Sequence, residues 1–524
     1  MIPNPQPASS FAHLGVPLRP LRSLLPLFVF RRHPERSLSQ CFTARGGVEG
    51  PLYLLLFVLP LLTGCMVGPH YKVPAAATAP SFKETDPNWQ PANPQDTIPR
   101  GDWWTLFHDP GLNALEPQIA TANQTLKIAD ANLRAARASI RIQRANLFPT
   151  LGANPFVGGL RDSANQPYFN AANANNGDAN LILPLDLNYE IDLWGAVRRG
   201  VNAAREESQA TAADRQTALL SLQAELAIDY FELRAADAEQ KLLNDTVAQY
   251  QEAVRITNNR FVGGVAAKSD LTQAQTQLQD VKVQAADVAI ARAQFEHAIA
   301  ILIGEPPASF TLPPSPLPLS AAPPPLPPGL PSELLQRRPD IAAAERRTAE
   351  ANEQIGIARA AYFPSLNLTA SVGLQSAAAS TLFNASSLIY SLGPTLSQTF
   401  FDAGRRRGVS EQALAGYDRA TATYRQTVLT AYQQVEDNLV ALRVLSDEAA
   451  QQRSATASAQ ESERIFNNRY VGGVDTYLQV ITAQTTALNN ERNDIDILRR
   501  RMDATVLLVK VLGGGWDTTQ LPPP

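Results

Sequence analysis

The chain has 524 residues, of which 44% are hydrophobic and 18% charged, with a formal net charge of -4. No basic excess marks a nucleic-acid-binding face, and two cysteines, Cys41 and Cys65, supply neither a disulfide framework nor a cysteine-rich metal site. Low aromatic content (7%) beside dense alanine points to close-packed helices rather than a bulky globular core.

Taken in order, residues 1–47 are basic and contain proline, with an apolar patch at Leu24–Phe30. This reads as an over-extended start, the targeting signal beginning near Arg45. Pro51–Leu62 is an apolar run of signal-core length, too short to span a bilayer comfortably. It runs into Leu62-Thr63-Gly64-Cys65, which resembles a bacterial lipobox. The resemblance implies removal of residues 1–64, a diacylglycerol on the Cys65 sulfur and an acyl chain on its nitrogen. Met66, where an aspartate would favour retention at the inner membrane, favours the outer one. Residues 65–111 then form a lipidated amino-terminal segment.

A helix is predicted after Trp103-Trp104-Thr105-Leu106-Phe107-His108-Asp109-Pro110. Its apolar positions are Leu112, Leu115, Ile119, Ala122, Leu126, Ala129, Leu133, Ala136 and Ile140, and Asn146 ends it. The strict three-four spacing imposes left-handed supercoiling on packed helices. From Leu147 the period becomes two. Leu181, Leu183, Leu185, Leu187, Tyr189, Ile191 and Leu193 alternate with Asp186, Asn188, Glu190 and Asp192, as in a strand between lipid and water. Strands are expected at about 147–160 and 181–194. A helical run of about 60 residues follows from Ala196, roughly 90 Å long.

That run ends in Asn258-Asn259-Arg260-Phe261-Val262-Gly263-Gly264-Val265, which returns as Asn467-Asn468-Arg469-Tyr470-Val471-Gly472-Gly473-Val474. The displacement from Arg260 to Arg469 is 209 positions. Paired glycines suit a tight reversal, so each copy reads as the tip of a helical hairpin, at 258–268 and 467–476. Leu271, Ala274, Leu278, Val281, Ala285 and Val288 carry the chain back toward Gly304. The first structural repeat is residues 112–304, residues 305–339 are a proline-rich connector, and the second repeat is 340–512. Its strands are expected at about 364–375 and 388–401, and residues 513–524 form a tail.

Four strands cannot close a membrane barrel alone, and lipid forbids open sheet edges. Strands must therefore be shared among copies, above a second barrel made of helices. The fold class is an α+β membrane protein of two tandem repeats.

The chain resembles the TolC-like outer-membrane factors, specifically their lipoprotein (OprM- and NodT-like) branch, from Cys65 to Trp516. The resemblance rests on Cys65-Met66-Val67-Gly68-Pro69-His70-Tyr71, the Trp103–Leu112 stretch, Tyr189-Glu190-Ile191-Asp192-Leu193-Trp194-Gly195, Leu335-Gln336-Arg337-Arg338-Pro339-Asp340-Ile341 and Phe401-Asp402-Ala403-Gly404. Val435-Glu436-Asp437 and the two tips complete it. It implies a homotrimer with a twelve-stranded β-barrel, an α-helical barrel and a mixed equatorial belt. It also implies an exit duct joined to a periplasmic adaptor and an inner-membrane transporter. The adaptor-docking tips would be Val262, Gly263, Gly264 and Val265 with Val471, Gly472, Gly473 and Val474. Family members often narrow the tip with aspartates on the second returning helix. Here those positions carry Gln479 and Thr482, while Asp270 stands in the first half where Gln479 falls in the second. The remaining aperture candidates are Arg260, Tyr470 and Asp475, with Tyr470 expected to hydrogen-bond a neighbouring helix.

Catalysis finds no support. His70, His108 and His297 lack metal-ligand spacing, and no phosphate loop or nucleophile elbow appears. No cofactor beyond the covalent lipid is expected. The rival readings are a duct for protein secretion and a lipid-anchored periplasmic coiled-coil scaffold.

Overall fold

A computed structural model describes residues 66–84, 101–161, 163, 165, 176–324, 326 and 333–522. The apolar run Pro51–Leu62 and the Leu62–Cys65 motif lie outside the described residues.

Helix α1 (Pro110–Ala122) starts where the Asp109 carboxylate accepts the backbone N–H groups of Gly111 and Leu112, with Pro110 in the first turn. Helix α2 (Gln124–Ala145) follows. The apolar spacing predicts one continuous helix here, and the structure corrects it to two. Asn123 is extended (φ -61, ψ 128), its side chain accepts from the Leu126 N–H, and its Nδ2 donates to the Leu302 carbonyl at 2.8 Å. The break lets Asn123 cap α2 and satisfy an orphan carbonyl elsewhere.

Among the described residues five strands follow the period-two segments: β1 (Thr150–Ala153), β2 (Phe156–Arg161), β3 (Asn176–Ile191), β4 (Ser365–Ser376) and β5 (Leu388–Ser397). The segment read as a single strand over 147–160 is interrupted at Asn154-Pro155, where proline supplies no N–H to a ladder. β3 starts before Leu181 and stops at Ile191, so Leu193 lies in a turn, its N–H bonded to the Ile191 carbonyl. All pairings are antiparallel, in the order β1-β3-β4-β5 with β2 also on β3.

Register gives the sheet two faces. Leu151 faces Leu187, Leu187 faces Ala370, and Ala370 faces Leu392. Leu185, Val372 and Tyr390 form the next apolar row. The alternate rows are polar, with Asp186, Ser371 and Ser391 in one and Glu190, Asn367 and Thr395 in another. The apolar rows are exposed: Leu392 74%, Tyr390 81%, Leu151 70%. Among the described residues β5 pairs on one side only, as do β1 and β2.

Helices α3 (Ala196–Val262) and α7 (Arg405–Val471) have 67 residues each, about 100 Å at 1.5 Å per residue. Helices α4 (Lys268–Leu302) and α8 (Tyr477–Val511) have 35 each. Both pairs are displaced by 209 positions, 196 to 405 and 268 to 477. Between them lie the short α5 (Leu334–Arg337) and α6 (Pro339–Ala360), which packs against both α3 and α7. Gly513 (φ +97) stops α8 so closely that an added Cβ would lie 2.0 Å from the Arg337 carbonyl oxygen. The main core joins Trp103, Leu112 and Ile119 to Phe231, Leu233, Ile303 and Val506.

The strand-to-helix junctions are fixed by polar side chains. Asp192 accepts from the Arg198 N–H and Nε, and Asp402 does the same for Arg406. Trp194 stacks on Phe363 at 4.5 Å and donates to the Pro364 carbonyl at 2.7 Å, joining the first half to the second.

Candidate functional site: the paired helical tips

Each long helix ends in the same reversal. The N–H of Val265 bonds the Arg260 carbonyl at 2.8 Å and that of Gly264 the Phe261 carbonyl at 2.9 Å. Val474 and Gly473 repeat this on Arg469 and Tyr470 at 2.9 and 3.0 Å. This is a Schellman closure, which needs a left-handed residue just past the helix. Only the second glycine of each pair takes that role: Gly264 has φ +74 and Gly473 φ +76, while Gly263 and Gly472 stay near -75 and -72.

The reversals push valines outward. Val262, Val265, Val471 and Val474 are between 60% and 77% exposed. Four bare branched side chains at one pair of turns form an apolar surface of the kind that marks an interaction site.

Behind the valines the two tips touch. Arg260 donates from Nη1 to the Tyr470 carbonyl at 2.8 Å, and its guanidinium lies over the Tyr470 ring at 4.5 Å. Tyr470 packs on Tyr477 at 5.1 Å, within a buried cluster that includes Ala274 and Val480. The expectation that the Tyr470 hydroxyl ties the tip to a neighbouring helix is corrected. That hydroxyl is buried and, among the described residues, has no hydrogen-bond partner, and the link is made by the ring and the carbonyl instead.

The equivalent arginine behaves differently. Arg469 pairs with Asp475, whose carboxyl is held below its ordinary range by that contact. The residue 209 positions before Asp475 is Ala266, so Arg260 has no carboxylate at that place and reaches across. Asp270 is half-buried, with the Ser269 hydroxyl at 3.4 Å. Gln479 and Thr482 are exposed, and the Thr482 hydroxyl donates back to the Leu478 carbonyl at 3.0 Å. The tip thus brings Arg260 and Tyr470 together, pairs Asp475 locally, and leaves Gln479 and Thr482 outside that cluster.

Sequence reasoning missed Tyr477, whose phenol is pushed up to about 12, mainly by burial and then by the neighbouring Tyr470. The signal was available in the repeat. Tyr470 and Tyr477 stand where the first half has Phe261 and Lys268, so the two tyrosines distinguish the second tip from the first.

The outer membrane efflux protein family model matches residues 116–305 and 330–514. The chain belongs to the outer membrane efflux protein family. It is 33% identical over 463 residues to the outer membrane protein OprJ of Pseudomonas aeruginosa, covering 88% of this chain and 95% of that one. It is 32% identical over 464 residues to the probable efflux pump outer membrane protein TtgC of Pseudomonas putida, covering 87% and 94%. Among solved structures, the outer-membrane channel OprN superposes with a TM-score of 0.79 at 29% identity, covering 86% of this chain and all of that one. The open state of the MtrE channel of Neisseria gonorrhoeae gives 0.74 at 29%, covering 86% and 98%. This outer membrane efflux protein is accordingly an efflux channel of the outer membrane, in a family of transport ducts rather than enzymes. The scaffold and secretion readings lose their ground.

Proposed function

We propose that this efflux protein is the trimeric exit duct of a tripartite pump, passing small molecules from a periplasmic adaptor and inner-membrane transporter to the outside. The observation that carries this reading is the sheet with one exposed apolar face whose edge strands, among the described residues, pair on one side only. Unpaired backbone groups in hydrocarbon cost several kcal/mol each, so the edges have to be matched. Four strand widths per chain, taken three times, give the twelve strands of a closed barrel. Residues 112–304 and 340–512 are the two tandem repeats, arising by duplication of one hairpin-bearing unit. The exposed valines of both tips receive the adaptor.

Lipid attachment at Cys65 belongs to the same reading. Met66 packs against Gly195, where an added Cβ would meet the Met66 side chain at 2.8 Å, and the Val67 N–H bonds the Trp194 carbonyl at 3.0 Å. Met66 and Val67 therefore lie at the level where β3 gives way to α3, next to the Trp194–Phe363 stack. Aromatic residues favour that level in a membrane, and acyl chains there would enter the inner leaflet.

The mass of the detergent-solubilised protein tests the assembly. Three chains per particle, with palmitate on the peptide beginning at Cys65, are the expected result. A single-chain particle would refute the shared barrel, and an unmodified Cys65 would refute the anchor.

A further inference from the structure

A groove of about 960 Å³ lies along α6, between α3 and α7. That is the volume of a small-molecule site. Its floor is small and apolar, made of Ala351 and Ala358 on α6 with Ala413, Gly416 and Ala420 on α7. The amino-terminal segment keeps to the other side of both helices. The Tyr71 hydroxyl donates to Glu345, Asn352 Nδ2 to the Pro69 carbonyl at 3.3 Å, and Arg425 Nε to the Ala75 carbonyl at 3.2 Å. At 3.6 residues per turn, Glu345 and Asn352 lie across α6 from Arg347 and Gln354 of the groove, and Arg425 lies across α7 from Gly416.

The two walls differ. Shifting by 209 positions turns α3 into α7, and Glu207 and Asp214 into Gly416 and Thr423. Glycine weakens a helix interior, and at Gly416 no close packing demands it, since an added Cβ would meet no atom within 4 Å. The space it leaves stays open among the described residues. On the α3 side, Arg347 pairs with Asp214 and lies 3.8 Å from Glu207. Glu350, one turn further along α6, accepts from Gln354 at 2.9 Å and has no ion pair among the described residues. Burial pushes the Glu207 carboxyl up, and Glu350 and Asp214 add to this against the pull of Arg347. Asp340 is matched separately by Arg338 at 2.6 Å. Three carboxylates thus share Arg347, while Arg419 on the α7 edge is exposed and makes no ion pair among the described residues.

We propose that this groove binds an organic cation with an apolar body, its charge beside Glu207 and Glu350 and its body across the bare Gly416. The inference rests on the trimeric duct proposed above and names the class of cargo that its wall favours. The amino-terminal segment continues from the lipid anchor of that reading and runs outside the assembly, so the groove on the opposite side opens into the lumen. Carboxylates in excess of their guanidinium, set in a wall of reduced dielectric, attract a cation more strongly than in bulk water. A conducting wall also has to hold its cargo weakly enough to release it, and a groove open along one side meets that condition.

The test follows the fluorescence anisotropy of ethidium, an aromatic cation, with the purified full-length protein in non-ionic detergent. Anilinonaphthalene sulfonate serves as an aromatic anion for comparison. Saturable binding of one ethidium per chain is expected, with the anion bound more weakly. Gly416→Leu fills the open space and favours the helix, so it should weaken ethidium binding by roughly tenfold or more with the helical circular-dichroism signal and particle mass unchanged. Glu350→Gln removes charge without bulk and should weaken ethidium binding several-fold while leaving the anion unaffected. Equal ethidium binding by the wild type and both variants would overturn the groove, as would a preference for the anion. A three-chain particle that binds no ethidium overturns the groove and leaves the trimer standing. A single-chain particle whose ethidium binding still responds to both variants overturns the trimer and leaves the groove.

Discussion

Arg260 reaches from the end of α3 to the end of α7, with its Nη1 2.8 Å from the Tyr470 carbonyl oxygen and its guanidinium 4.5 Å from the Tyr470 ring centre. It is the contact that joins the two tips behind their exposed valines. A cation over an aromatic face contributes about 0.5–2 kcal/mol, and a charged hydrogen bond about 1.5–3. Arg260→Ala is therefore predicted to raise the resting current of the channel in a planar bilayer. Tyr470→Phe keeps both contacts and deletes a buried hydroxyl that bonds nothing among the described residues, so it should leave that current unchanged or lower it. The double variant should match Arg260→Ala alone.

Ala266 offers the reciprocal test. Its counterpart Asp475 holds Arg469 at its own tip. Ala266→Asp should capture Arg260 in the same way, withdraw it from Tyr470 and raise the resting current toward that of Arg260→Ala. An unaltered current would show that the Tyr470 contacts outcompete a neighbouring carboxylate.

Gly513 marks where the last helix meets the connector. Its φ of +97 is costly for any residue with a side chain, and an added Cβ would overlap the Arg337 carbonyl at 2.0 Å. Gly513→Ala is predicted to destabilise the chain by more than about 2 kcal/mol, read as a lower denaturation midpoint of the helical circular-dichroism signal.

Glu116 lies on α1 with no exposed surface, and neither carboxylate oxygen has a hydrogen-bond partner among the described residues. Burial pushes its carboxyl well above the ordinary carboxylate range. The folded state thus prefers the neutral acid. Its contribution is fully present below the unfolded value of about 4.3 and is lost as pH rises through the raised folded value. Wild-type protein should lose stability between pH 5 and pH 8 relative to Glu116→Leu. At pH 8 the variant should gain on the order of 1–3 kcal/mol, measured as a shift in thermal midpoint.

Much of this fold was legible because its signals are local and repeated. Period-two alternation placed Leu181 to Ile191 and Leu366 to Leu374 on strands, and the register set their apolar sides together. The break at Asn123 was hidden because the three-four spacing continues through it. Only the distant Leu302 carbonyl shows why an asparagine turns the chain there. At the tip, Arg260 and Tyr470 were legible as residues but not in their roles. A phenol invites a hydrogen bond on paper, and only packing shows that its hydroxyl is enclosed while its ring carries the contact. Glu116 gave no sequence signal, since a lone glutamate on a helix is ordinarily solvated.

The central claim is that several copies complete one water-filled duct, and single-channel recording of the purified wild-type protein in a planar bilayer tests it most directly. Discrete conductance steps carried by particles of three chains are predicted, with more frequent or larger openings for Arg260→Ala. An intact membrane that stays silent with both proteins inserted would contradict it.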